Sequence, residues 1–162
     1  MQPPPIIGNS PIYSHGAFIM FITTKDDGVI PYVLTQILDA CVNGVTLSDP
    51  DLPDSPLVYV NSVFEAMSGY SQAEMIGRNC RFLQGEDRDQ PALQTLREAI
   101  AQHQACTVTL RNYRKNGELF LNKLSIRPLV DCENRVIYYL GIQYDLSRQP
   151  EADATPVLDL RL

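Results

Sequence analysis

Metal-ligand spacing is missing from this 162-residue chain: its four cysteines, at 41, 80, 106 and 132, form no C-x-x-C pair, His15 lies far from them in sequence, and His103 stands near Cys106 alone. A structural zinc centre is therefore not expected. Four cysteines are also too sparse to replace a core with disulfides, and a free thiol suits a reducing compartment, so we expect a cytoplasmic protein. Basic clusters are absent as well. With a net charge of -6 and no run of Lys or Arg, nothing recommends a polyanion, and nucleic acid is not an expected partner. The apolar run Ala17 to Ile22 is too short to span a bilayer, and no positively charged segment or small-residue cleavage pattern precedes it; no membrane association is expected. A nucleophile paired with a base and a phosphate-cradling glycine loop are both lacking, which argues against an enzyme.

What the chain does contain is enough for one core, since 44% of its residues are hydrophobic. Residues 1–29 read as an N-terminal extension, partly disordered, because Pro3, Pro4, Pro5 and Pro11 break regular structure; a short strand could run from Ala17 to Thr24. Residues 30–42 read as a flanking amphipathic helix with Val33, Leu34, Ile37, Leu38 and Cys41 on one stripe. The tail 147–162 has prolines and scattered acids but no helical repeat, and disorder is expected there.

Between these flanks, residues 43–146 give two strands, several short helices and three longer strands. The first two strands are expected at 43–47 and 57–60. Asn61 is a good helix N-cap, Gly69 a stop, and Ser71-Gln72-Ala73-Glu74 a capping box. A further helix opens near Pro91, with Leu93, Leu96 and Ile100 on one stripe and Arg97 at its margin. The last strands, 106–113, 118–128 and 135–145, flank Asn116-Gly117 and alternate with period two. That alternation puts Leu110 with Asn112, Phe120 with Asn122, Leu124 and Ile126, and Tyr139 with Gly141 and Gln143. Three amides thus meet apolar neighbours on one face. The opposite face carries Leu121, Leu140, Ile142 and Tyr144, too apolar to be left to water. This order predicts an α+β fold, a five-stranded antiparallel sheet with helices packed on one face.

The most concentrated chemistry lies in Gly77-Arg78-Asn79-Cys80-Arg81-Phe82-Leu83-Gln84-Gly85. A thiol, two guanidinium groups and two amides, bracketed by glycines, suit a ligand that is part polar ring and part phosphate. Arginine forks match a phosphate, and side-chain amides match a ring edge that alternates donors and acceptors without adding charge.

The nine residues, with the amides on the later strands, resemble the signature of the light-oxygen-voltage (LOV) sensors of the PAS superfamily, over roughly residues 43 to 146. The resemblance implies a PAS fold and a non-covalently held flavin, most simply FMN. It implies that Asn79 and Gln84 bind the ribityl chain and ring, Arg81 and Arg97 the phosphate, Asn112 and Asn122 the pyrimidine edge, and Gln143 the N5/O4 edge. Leu83, Leu124, Ile126 and Gly141 would stand beside them. It further implies a blue-light photoreceptor in which Cys80 adds reversibly to the C4a carbon of the ring, with Gln143 passing the change to the sheet. Some positions depart from the plant pattern: Gly44 replaces an Asn, Leu124 a Phe and Leu121 a Trp. A homodimer is expected through the outer sheet face and the 30–41 helix. The competing readings are a dark redox flavoprotein and a non-photoactive PAS ligand-binding module; a haem sensor lacks a histidine in the pocket.

Overall fold

A computed structural model describes residues 32–148. The proline-rich start, the strand expected at 17–24 and the tail beyond 148 lie outside the described residues.

Helix α1 (Tyr32–Asp39) is followed by β1 (Gly44–Ser48), β2 (Leu57–Val60), α2 (Ser62–Ser68) and α3 (Gln72–Met75). After a 3-10 turn over Cys80–Gln84 come α4 (Pro91–Ala101), β3 (Cys106–Tyr113), β4 (Leu119–Val130) and β5 (Val136–Asp145). The strands form one antiparallel sheet in the order β2-β1-β5-β4-β3, which places the last strand in the centre beside the first.

Local chemistry sets the boundaries. The Asn61 side chain accepts from the Phe64 N–H at 3.0 Å, so α2 starts there, and Gly69 ends it in the left-handed conformation at φ 77°. Asn61 is fully buried and does more than cap: its Oδ1 accepts from Val45 N, and its Nδ2 donates to the Leu38 and Asn43 carbonyls, joining α1, β1 and α2. Ser71 and Glu74 form the expected capping box. The β3–β4 connection is a three-residue loop in which only Gly117 takes positive φ, not a two-residue Asn-Gly turn.

Phe64, Met67, Met75, Leu83 and Phe120 make the core between helices and sheet. A second cluster lies on the other face, where Leu38 and Cys41 near α1 pack against Val45, Leu47, Tyr59 and Tyr138. The helix therefore covers the β1–β2 side of the outer face and draws in Leu140, while Leu121 and Tyr144 remain 39% and 47% exposed. Leu140 belongs to the covered part of that face.

Two contacts tie the sheet's ends. Buried Arg114 at the β3–β4 loop pairs with buried Asp145 at the end of β5 at 2.6 Å, bonds the Met67 carbonyl, and stacks over Phe120 at 4.4 Å. At the free edge of β3, the Gln90 side chain accepts from Arg111 N (2.7 Å) and donates to Arg111 O (3.0 Å), as a neighbouring strand would. Gln90 is the N-cap residue of α4. On the opposite edge, the Leu57 backbone bonds Arg78 O and Gly77 N.

Candidate functional site

The inner sheet face, the 3-10 turn and α4 enclose a cavity of about 330 Å³. The turn exists because Gly77 (φ 82°) and Gly85 (φ 54°) reverse the chain on either side of it. The Asn79 side-chain oxygen Oδ1 accepts from Arg81 N at 3.0 Å, and its Nδ2 donates to the Asp54 carbonyl at 2.6 Å, pinning the turn to the β1–β2 loop. Asn79 lines the cavity, yet both ends of its amide are already engaged by the protein.

Cys80 follows as the first residue of the turn. One side lines the cavity; the other packs against the Phe64 and Phe120 core. Burial pushes its thiol up to about 12, so the sulfur carries its proton across the physiological range. Gln84 also lines the cavity and is buried.

The mouth is basic. Arg81, Arg88 and Arg97 all line it. Arg81 is engaged by the Asp54 carboxylate at 2.6 Å, whereas Arg88 donates from Nε to the Gly85 carbonyl at 3.2 Å. Asp54 and Ser55 both hold positive φ, at 69° and 46°, an uncommon conformation for non-glycine residues, and the Asn79 bond to the Asp54 carbonyl helps hold it. Ser48 and Ser55 complete the loop side of the mouth.

The sheet supplies the back wall. Asn112, Asn122 and Gln143, on three strands, are buried and line the cavity with Leu124 and Ile126. Asn122 Nδ2 donates to Asn112 Oδ1 at 3.0 Å, and Gln143 Nε2 donates to Thr46 Oγ1 at 2.9 Å. Each donor is satisfied, but Asn122 Oδ1 and Gln143 Oε1 have no partner. An unmet buried acceptor costs about 1–3 kcal/mol, so two of them on one wall mark a surface shaped for something that donates N–H.

Ten of the twelve residues singled out in the sequence thus surround one cavity. Leu83 does not line it: the tight turn carries its side chain into the core with Met67, Met75 and Phe120. Nor does Gly141. A Cβ there would meet Thr46 Oγ1 at 2.6 Å and Gln143 Nε2 at 2.7 Å, so the glycine makes room for the Gln143–Thr46 bond. Sequence reasoning missed Arg88, Ser55 and Thr46 as site residues. Arg88, a cation between the nine-residue motif and α4, could have been found by charge and position; the loop serines gave no signal. His103 does not line the cavity, but its Nδ1 lies 2.8 Å from the hydroxyl of Tyr139, which does.

Among the described residues no helix is long and apolar enough to cross a membrane. The PAS domain family matches residues 42–148. A blue-light photoreceptor of Listeria innocua is 40% identical over 72% of this chain, which spans 46% of that protein. The solved LOV domain of a blue-light activated histidine kinase from Erythrobacter litoralis is 43% identical, with a TM-score of 0.62, over 65% of this chain and 97% of that one. An RNA-binding light-oxygen-voltage receptor is 40% identical, with a TM-score of 0.68, over 72% of this chain and 33% of that one. With such a receptor among the similar structures, net negative charge no longer excludes nucleic acid. The chain spans about half the length of the curated photoreceptor it matches, and that match, the five-stranded fold and the near-complete overlap with a solved LOV domain converge: this chain belongs to the light-oxygen-voltage family of PAS domains.

Proposed function

We propose that this domain is a blue-light sensor that holds FMN in the 330 Å³ cavity and reads light through Cys80. One observation carries the proposal: a neutral thiol and two orphaned amide oxygens, on opposite elements, line the same cavity with arginines at its mouth. The orphaned Asn122 oxygen fits the single N–H of a flavin pyrimidine, and the basic mouth fits its phosphate. Bound there, the flavin would supply blue-light absorption and an electrophilic ring carbon, C4a. Cys80 would contribute the sulfur for a reversible bond to that carbon and pass its Sγ proton to the adjoining ring nitrogen N5, an addition that needs no outside oxidant or reductant; the high thiol pKa keeps that proton on the sulfur in the dark.

Gln143 is built to register that proton. In this structure its nitrogen faces Thr46 Oγ1 and its oxygen is unpartnered. A hydroxyl both donates and accepts, so Thr46 can hold the amide in either orientation, and a rotation of Gln143 exchanges the acceptor it presents to the cavity for a donor. Enzymatic activity is not part of this reading. The test is direct: protein purified in the dark should carry FMN, and blue light should bleach its visible band, which recovers in darkness. Absence of flavin after reconstitution, or bleaching without recovery, sinks the proposal.

A homodimer through the outer sheet face is part of the same proposal. Leu119, Leu121, Tyr144 and Leu146 stand exposed beyond the reach of α1, and Tyr144 follows Gln143 directly on β5. Light scattering at tens of micromolar should give a dimer for the parent and a monomer for Tyr144→Arg. A monomeric parent in dark and light refutes it.

A further inference from the structure

We infer that His103, which stands outside the cavity, is a positioning residue for its occupant: through Tyr139 it latches the end of α4 onto β5 and sets how readily the flavin enters and leaves. The inference rests on the flavin reading above and adds to it a route of exchange.

Helix α4 is one wall of the cavity, contributing Leu93, Leu96, Arg97 and Ile100, and it is tied down at both ends. At its start the Gln90 side chain bonds Arg111 N, Arg111 O and the Asp87 carbonyl. At its finish the tie is a phenol. Tyr139 is buried, lines the cavity, and donates its one hydroxyl hydrogen to the Ile100 carbonyl at 2.9 Å, one of the carbonyls that a helix end leaves without an intrahelical partner. With that hydrogen committed, the phenol oxygen is left to accept, and Nδ1 of the exposed His103 lies 2.8 Å from it. In its Nδ1–H form the imidazole fixes the hydroxyl from the solvent side.

Two further observations single out this end. His103 directly follows the C-cap residue Gln102 and has φ 53°, a position and conformation that glycine usually takes. The backbone gives no reason for a histidine here; the side chain does. The sheet also thins beside Tyr139: its partner on β4 is Pro128, which brings no N–H to the ladder, and its partner on β1 is Ser48, the last residue of that strand. Helix α4 therefore lifts from β5 at this end for the loss of the phenol's two bonds, while the Gln90 end stays closed.

A latch and a ligand contact differ kinetically. Losing a contact raises dissociation alone, whereas losing a latch raises association and dissociation together and leaves affinity nearly unchanged. Protein loaded with FMN should be mixed with excess isotope-labelled FMN and the exchange followed by mass spectrometry, with association to ligand-free protein followed by flavin fluorescence. Tyr139→Phe keeps the ring and removes the hydroxyl. His103→Gly relaxes the backbone and removes the donor, and His103→Asn restores a donor, because its amide nitrogen stands as many bonds from the backbone as Nδ1 does. Loss of the hydrogen bond predicts exchange and association about three- to tenfold faster in Tyr139→Phe and His103→Gly, affinity within about threefold of the parent, and rates near the parent's in His103→Asn. Unchanged rates in Tyr139→Phe or His103→Gly, a rise in dissociation alone, or no restoration by His103→Asn each overturns the inference and leaves the flavin reading intact. A parent that takes up no FMN overturns both.

Discussion

A Cys80→Ala protein should bind its flavin and lose reversible bleaching altogether. No other thiol can substitute. Cys106 is half-buried in the cluster of Leu93, Val108 and Leu110, Cys41 packs on the outer face, Cys132 is exposed in the β4–β5 turn, and none of them lines the cavity. The expected effect is therefore a loss to below detection in the amplitude of dark recovery, measured by absorbance after a blue pulse. Recovery at the parent's amplitude would remove Cys80 from the mechanism. The pH response provides a second check. The usual thiol ionises near 9 and this one only near 12, so the parent's amplitude should stay flat between pH 6 and 9. Ionisation favours the unfolded chain, which releases that proton first; the stability associated with the neutral thiol is full below pH 9 and is lost as pH rises from 9 towards 12.

The largest stability effect is expected at Arg114. Its side chain and that of Asp145 are 5% and 8% exposed and meet at 2.6 Å. Removing one partner leaves the other buried charge with only a longer pair to an exposed residue, Arg114 with Glu118 at 3.3 Å or Asp145 with Arg148 at 3.6 Å, which costs up to about 3–5 kcal/mol and lowers the melting temperature by roughly 10–20 °C for a domain of this size. Arg114→Met and Asp145→Leu should each show this loss in thermal unfolding followed by circular dichroism. The double variant should recover much of it, because no uncompensated charge remains. If the double variant loses the sum of the two single losses, the pair is not coupled and the account fails. The pair sits two residues past Gln143, where β5 leaves the sheet, so it also fixes the position from which any change at Gln143 departs.

The site was legible wherever a period governed it. β3, β4 and β5 run 8, 12 and 10 residues, long enough for alternation to place Asn112, Asn122 and Gln143 on one face without reference to coordinates. Asn61, Gly69 and Ser71–Glu74 were legible for a similar reason, since caps are local chemistry. Leu83 was misplaced because a 3-10 turn, with three residues per turn, directs side chains differently from the surrounding helices. The Asp54–Arg81 pair was invisible because it spans 27 positions and depends on left-handed backbone at two successive residues, Asp54 and Ser55, of which only the aspartate has any preference for it. The reach of α1 was also unreadable: periodicity gave its apolar stripe, but not which half of the sheet it covers.

An open sheet is one half of a polymer, for its last strand offers the hydrogen bonds that would receive another copy. In this molecule both ends are stoppered at a point. The Gln90 amide imitates a partner strand at Arg111, and the Gly77–Arg78 backbone occupies Leu57 at the other margin. The second stopper is the beginning of the nine-residue motif, so the segment that builds the cavity's 3-10 turn also occupies a hydrogen-bonding position that the edge of another sheet would otherwise take.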